Sequence, residues 1–206
     1  MSTDTPKTSR PLDARLARAL VKPLRNTAIT PNYLTTVRTL IGVAAAFAFA
    51  NGSPGWASAG AWLFVVSNFV DHTDGELARM TGQTSQFGHY YDLASDALVH
   101  VLLFVGIGYG LRAGVLGDWG LWMGLLSGSA VAFIFWLHMH MESVLGKQGA
   151  KLPDAGLVEI EDVLYLLPLI TIFDIRLQFL IAASIGAPLF ALWLAWHFRT
   201  IRGQAA

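Results

Sequence analysis

Long apolar segments separated by short polar ones dominate this chain of 206 residues. A helix needs roughly 20 mostly apolar residues to cross a bilayer, and six segments approach that length with few residues left over. They cover residues 34–50, 56–80, 85–111, 119–141, 161–173 and 177–198. The pattern predicts an all-α integral membrane protein, with one domain of six transmembrane helices over residues 27–202.

The segment before the first predicted span has a different pattern. Residues 1–10 are polar and are predicted to form a disordered tail. Over residues 11–26, leucines recur every four residues while arginines and lysines recur every three or four. This spacing predicts an N-terminal amphipathic juxtamembrane helix on the inner membrane surface; the alternative is a solvated segment. Thr30 and Pro31 then suit the cap and the first position of span one.

Composition and charge support the membrane assignment. Hydrophobic residues make up 54% of the chain and charged ones 14%, whereas a soluble domain carries about 25% charged residues. The net charge is zero, but lysines and arginines concentrate before span one and at the predicted inner ends, and their placement sets orientation. We therefore expect a multi-pass protein of the inner cell membrane with cytoplasmic termini, and no nucleic acid partner. The absence of cysteine excludes disulfides and thiolate metal sites.

Four carboxylates interrupt the second and third apolar segments. Ionised groups are costly inside a bilayer, so they usually line a site or a water-filled path. Asp71 and Asp74 are three residues apart, and Asp92 and Asp96 are four apart. Each pair therefore projects from one face of its helix.

A short inner hairpin is predicted between these two helices, because Gly82 suits a helix end and Thr84 or Ser85 suits a helix start. Antiparallel neighbours would bring the two carboxylate pairs to matching depth. Four facing carboxylates cannot all stay ionised unaided, so they take up protons or bind cations. Their oxygens suit Mg²⁺, with Mn²⁺ possible, and two ions could clamp a pyrophosphate.

Small and basic residues accompany the carboxylates. Gly75 and Ala78 would let a bulky ligand approach the helix backbone, and Arg79 would supply donors for a phosphate or a base. Arg38 in span one would be costly facing lipid, so we expect it to face the polar site. The alternative is a structural network in which Arg38, Arg79 and nearby histidines neutralise the acids, but it would leave an excess of acids.

Together these residues form one spaced pattern, Asp71-x-x-Asp74-Gly75-x-x-Ala78-Arg79, then eight residues, then Gly88-x-x-x-Asp92-x-x-x-Asp96. In every fixed position and spacing the pattern resembles the signature of the CDP-alcohol phosphotransferases, membrane enzymes of phospholipid synthesis. The resemblance implies transfer of a substituted phosphate from a CDP-linked donor to an acceptor alcohol, with release of CMP. It also implies a homodimer whose active site opens to the cytoplasm.

The resemblance further implies a role for each matching residue. Asp71 and Asp92 would bridge two metal ions, Asp74 would bind one of them, and Asp96 would bind the other. Asp96 would also be the base that deprotonates the acceptor hydroxyl. The residues expected to contact the nucleotide are Gly75, Ala78, Arg79, Ser85, Gly88, Asn32 and Thr35.

The acceptor pocket is where this chain departs from some relatives. Family branches with phosphorylated acceptors tend to carry a Lys-x-Arg pattern at the inner end of span four and arginines at the start of span five. At those places this chain has His138 and His140, and then Glu159 and Asp162. Because an anionic acceptor would be repelled there, we expect an acceptor that is not phosphorylated.

Two further hypotheses remain at this stage. The rival function is a divalent-cation or proton-coupled transporter, although a cation path would not require Gly75, Arg79 and Gly88 at fixed spacing; a catalytically dead scaffold is disfavoured because all four aspartates are present.

Glycines at positions 120, 124 and 128 favour close helix packing, with a dimer face as the alternative. Histidines 72, 89 and 100 are expected to pack or to support the metal ligands, since imidazole suits Mg²⁺ poorly.

Overall fold

The structure is a computed structural model that describes residues 21–149 and 164–204. These residues form helices and no strand. A 3₁₀ helix over Lys22–Asn26 precedes six α-helices. They are α1 (Pro31–Ala50), α2 (Pro54–Thr81), α3 (Gln86–Gly110), α4 (Trp119–Gly149), α5 (Leu167–Ile172) and α6 (Arg176–Gln204).

Among the described residues, four helices are long and apolar enough to cross a bilayer, which indicates a membrane protein. They are Pro31–Ala50, Gln86–Gly110, Trp119–Gly146 and Arg176–Arg202. Helix α2 has 28 residues but is less apolar, because serine, asparagine and the acidic residues interrupt it. The fifth predicted span begins outside the described residues, and its described part contains the six-residue α5. The count of six spans therefore stays a prediction.

The N-terminal segment and the end of α4 were also predicted. Residues 1–20, which include the predicted tail and most of the predicted amphipathic helix, lie outside the described residues. The end of that helix, Lys22–Asn26, is a 3₁₀ helix with a proline in its first turn. Helix α4 continues past the predicted end at residue 141, and its backbone leaves helical geometry at Gly146.

The inner hairpin between α2 and α3 forms as predicted. Gly82 ends α2 in the left-handed region, with φ of 69°, where glycine carries no steric penalty. The Ser85 hydroxyl caps α3 by accepting the Gly88 N–H at 2.9 Å. At the start of α1, the Thr30 hydroxyl accepts the Tyr33 N–H at 3.3 Å, which confirms that predicted cap. These caps fix where the aspartate helices begin and end.

Helix α3 packs against both α1 and α4, and glycines allow the close approach. A Cβ at Gly108 or Gly120 would overlap the backbone carbonyl of the other residue, and one at Gly124 would overlap the carbonyl of Phe104. The predicted small-residue pattern of α4 therefore serves packing within the chain.

Near the other end of α2, Arg176 ties two loops together. Its guanidinium is buried and contacts Asp174 Oδ1 through Nε at 2.9 Å and Nη2 at 2.6 Å. Its Nη1 donates to the Gly52 carbonyl at 3.2 Å. This ion pair is far along the chain from the aspartates of α2 and α3.

Candidate functional site

Three helices bring the four aspartates around one arginine. Helix α2 supplies Asp71 and Asp74, helix α3 supplies Asp92 and Asp96, and helix α1 supplies Arg38. Each pair lies on one face of its helix, and the hairpin sets the two helices side by side. The prediction that Arg38 faces the polar site is confirmed.

The Arg38 guanidinium is almost completely buried, with 1% of the residue exposed. Its Nε lies 2.8 Å from Asp71 Oδ1, its Nη2 lies 2.8 Å from Asp92 Oδ1, and its Nη1 lies 2.8 Å from Asp96 Oδ1. Nη2 also donates to the Asp92 carbonyl at 3.2 Å. Each nitrogen therefore meets a different aspartate.

The Asp71 contact differs from the other two. Nε and Asp71 Oδ1 are close enough for an ion pair, but both are buried without a partner in hydrogen-bond geometry. Because a buried carboxylate oxygen without a hydrogen bond is costly, Asp71 Oδ1 would gain from a second cation or donor.

Helix α1 also holds the fourth aspartate. The Thr35 hydroxyl donates to Asp74 Oδ2 at 2.7 Å, and both residues are buried. Next to Arg38, the Ser67 hydroxyl donates to the Arg38 carbonyl at 2.8 Å and ties α2 to α1. Helix α1 thus contacts every aspartate of the site through Thr35 or Arg38.

The donor set fits a divalent cation. Asp71, Asp74 and Asp92 each offer a carboxylate oxygen within 4.8 Å of the others, a spacing suited to ligands of a shared ion. Asp96 stands beside this trio and is joined to it through Arg38. Oxygen ligands are those that Mg²⁺ and Mn²⁺ prefer, and one guanidinium cannot balance four carboxylates.

A cleft of about 270 Å³ opens beside the aspartates. Every residue predicted to contact a nucleotide lines it, together with two of the aspartates. Gly88 sits where α3 comes close to α1, because a Cβ there would lie 3.0 Å from Asn32 Oδ1 and 3.1 Å from Ser85 Oγ. The lining set is Pro31, Asn32, Thr35, Asp74, Gly75, Ala78, Arg79, Gln83, Thr84, Ser85, Gly88, His89 and Asp92.

Arg79 reaches the cleft from the end of α2. Its side chain is 65% exposed, and its Nη2 lies 3.0 Å from Oε1 of the buried Glu76. Glu76 lies one turn earlier on the same helix and holds the guanidinium at the mouth of the cleft. Glu76 was not among the predicted site residues, and only its i,i+3 spacing to Arg79 could have indicated the pair.

Two of the histidines near the site, His100 and His89, have different surroundings. His100 is buried, its Nδ1 lies 2.8 Å from the Asp96 carbonyl, and its ring packs edge-on against Phe64 and Phe135. This agrees with the predicted packing role. His89 instead lines the cleft, as do Gln83 and Thr84, none of which the sequence analysis assigned to the nucleotide.

The predicted acceptor residues are only partly described. His140 on α4 stacks on Trp136 with ring centroids 5.5 Å apart and meets Phe198 of α6 edge-on at 5.6 Å. His138, two residues earlier, is half-buried. Glu159 and Asp162 lie outside the described residues.

Comparison with known proteins gives one family and several relatives. The family model described as CDP-alcohol phosphatidyltransferase matches residues 28–200. An archaetidylinositol phosphate synthase of Pyrococcus horikoshii is 34% identical over 110 residues, which are 53% of this chain and 54% of the relative. One of Methanothermobacter thermautotrophicus is 31% identical over 121 residues, 57% of each. These matches thus span little more than half of the curated relatives.

Solved structures share the fold. A crystal structure of the Mycobacterium tuberculosis phosphatidylinositol phosphate synthase with CDP-DAG bound has a TM-score of 0.61 and 22% identity, covering 90% of this chain and 94% of that one. A second structure of that enzyme, in complex with manganese and citrate, has a TM-score of 0.60 and 21% identity, covering 90% and 89%.

Proposed function

The chain belongs to the CDP-alcohol phosphatidyltransferase family, and we propose that it transfers a substituted phosphate group from a CDP-linked donor to an acceptor alcohol, releasing CMP. The observation that carries this proposal is that the aspartate cluster and the cleft lie side by side. Four aspartates from α2 and α3 converge beside a cleft that all seven predicted nucleotide contacts line. A cation path explains the acids but not that cleft.

We assign the aspartates to a divalent metal site, with two Mg²⁺ ions expected and Mn²⁺ as the alternative. The close trio of carboxylates supports this assignment, as does the buried Oδ1 of Asp71, which has an ion pair with Arg38 but no hydrogen bond. Manganese in the M. tuberculosis synthase supports it as well. When bound, such ions would neutralise the diphosphate and stabilise CMP as the leaving group.

The protein's own groups then orient the substrates and move one proton. The acceptor oxygen forms a bond to the phosphorus that carries the substituent, and the bond from that phosphorus to the CMP phosphate oxygen breaks. Asp96 takes the proton of the acceptor hydroxyl, so that the attacking oxygen becomes more nucleophilic. Arg79, held by Glu76, lines the cleft and would contact the nucleotide part of a bound donor.

CDP-diacylglycerol is the donor that we propose first, because CDP-DAG is bound in the M. tuberculosis synthase structure. Two curated relatives are named archaetidylinositol phosphate synthases. For this chain we propose an acceptor that is not phosphorylated, since His138 and His140 stand where a Lys-x-Arg pattern would supply fixed positive charge. Glu159 and Asp162 would add negative charge to the same pocket.

The remaining features follow from charge placement and family resemblance. We propose one domain over residues 27–202 with six spans, an N-terminal tail over 1–10 and an interfacial helix over 11–26. The excess of basic residues before α1 supports a protein of the inner membrane whose termini and site lie on the cytoplasmic side. A homodimer is proposed on resemblance to the family.

The test is metal-dependent CMP release by purified protein in detergent. CDP-diacylglycerol and CDP-alcohols are each combined with inositol, serine, glycerol, inositol phosphate and glycerol phosphate. We expect release with one donor and an unphosphorylated acceptor, loss of release on chelation, and no release by Asp96→Asn. Asp174→Asn removes an exposed carboxylate paired with Arg176 and serves as the matched control. Cation uptake by vesicles without any CMP release would instead support the transporter.

A further inference from the structure

Arg38 is paired with Asp71 and Asp92, two of the three carboxylates that a metal ion would share. We propose that Arg38 is the built-in cation of the unloaded site, and that metal binding displaces its guanidinium from the aspartates. The inference rests on the metal role proposed above and adds a competitor to it. It concerns the order of events at the site, since the arginine must yield before the ions are fully coordinated.

The competition follows from shared ligands. Asp71 and Asp92 belong both to the carboxylate trio within 4.8 Å and to the arginine's ion pairs at 2.8 Å. A carboxylate oxygen engaged by a guanidinium is less available to an ion, and a divalent ion repels a positive group at such short range. The ion and the guanidinium therefore cannot both keep their full set of contacts.

The arginine's surroundings define where it can go. Arg38 is buried, and its backbone is held by Ser67, so a released guanidinium stays within the site. Thr35 lies one turn earlier on the same face of α1 and lines the cleft. A donor bound in that cleft would bring its diphosphate to this side of the site, and a guanidinium suits phosphate oxygens.

The first experiment measures Mn²⁺ affinity by calorimetry in detergent, without any substrate. Because removing a positive charge strengthens cation binding, Arg38→Gln should bind Mn²⁺ about tenfold tighter than wild type or more. Arg176→Gln is the matched control, since it also removes a buried arginine paired with an aspartate, and it should bind as wild type. Equal or weaker binding by Arg38→Gln would overturn the proposal, because an arginine that only positions the ligands would weaken binding when lost.

A second experiment uses wild-type protein and therefore does not depend on the folding of Arg38→Gln. Protein carrying ¹⁵N-labelled arginine is titrated with Mg²⁺ and followed through its guanidinium signals, with Arg38→Lys used to assign Arg38. We expect the Arg38 signals to shift and lose protection from exchange as Mg²⁺ binds, while those of Arg176 stay unchanged. Unchanged Arg38 signals in a protein that binds Mg²⁺ would refute the displacement of Arg38 and leave the proposed function standing. A wild-type protein that binds neither ion would remove the proposed function and this inference together.

Discussion

The hydrogen bond from Thr35 to Asp74 offers the sharpest test of the metal assignment. Thr35 is buried, and its hydroxyl lies 2.7 Å from Asp74 Oδ2. Thr35→Val keeps the branched shape and removes only the donor. Asp74 would keep its place on α2 but lose the contact that fixes the orientation of its carboxylate.

The loss of this hydrogen bond sets the expected change in Mn²⁺ affinity. A hydrogen bond to a charged group contributes about 1.5–3 kcal/mol, and partners that orient metal ligands typically affect affinity about 10- to 100-fold. The two ranges agree, because a tenfold change corresponds to about 1.4 kcal/mol. We therefore expect Thr35→Val to bind Mn²⁺ about 10- to 100-fold more weakly than wild type.

Calorimetric titration of Mn²⁺ into detergent-solubilised protein measures this difference directly. Thr39→Val is the matched control, because the half-buried Thr39 lies one turn further along α1 and its hydroxyl donates only to the Thr35 carbonyl at 2.7 Å. That variant should bind Mn²⁺ as wild type does. If Thr35→Val and Thr39→Val bind equally well, Asp74 does not depend on Thr35, and its role as a metal ligand oriented by α1 is wrong.

Three further predictions address the base, the cleft and the helix packing. Asp96→Asn should abolish CMP release while labelled CDP donor still binds, because the amide cannot take the hydroxyl proton; near-normal turnover would exclude Asp96 as the base. Gly88→Ala should raise the KM for the donor about tenfold, because its Cβ would press on Asn32 and Ser85, whereas Gly55→Ala, which meets nothing within 4 Å, should leave KM unchanged. Gly124→Ala should cost about 1–3 kcal/mol of stability through overlap with the Phe104 carbonyl, seen as a melting temperature several degrees lower, while the same change at Gly186, in open space, should not lower it.

Local sequence rules predicted the parts of the site that depend on one helix or one turn. The spacing of the aspartates places each pair on one helix face, and Gly82 and Ser85 set the turn that joins the two helices. These features depend on residues within a few positions of each other. Sequence spacing is sufficient for them because helix geometry is regular.

The contacts of Arg38 could not be predicted in the same way. Its cost in lipid indicated only that it faces away from lipid. Its three ion pairs at 2.8 Å depend on how α1 slides and rotates against α2 and α3, which is set by close packing. A Cβ at Gly42, for example, would lie 2.6 Å from Val99 and 3.1 Å from the Ser67 hydroxyl, so this glycine lets the three helices approach. Such a register is a property of the assembled bundle.

His89 and helix α4 show two other features that the sequence did not predict. Because imidazole suits Mg²⁺ poorly, ligand chemistry did not predict that His89 lines the site. His89 lies in the cleft because it follows Gly88 in the first turn of α3. Helix α4 extends beyond its predicted end because Glu142 and Ser143 interrupt the apolar run without ending the helix, whose geometry stays regular up to Gly146. Hydropathy locates the part of a helix in lipid but not the part that projects beyond it.

The ion pairs of Arg38 also have a consequence for how the protein is made. Helix α1 is synthesised first and carries a cation, and α2 and α3 follow with the acids that neutralise it. Any of these helices released alone into lipid would bear an uncompensated charge. We therefore expect the insertion machinery to retain α1 until the hairpin of α2 and α3 has emerged, so that Arg38 enters the bilayer already paired with its aspartates.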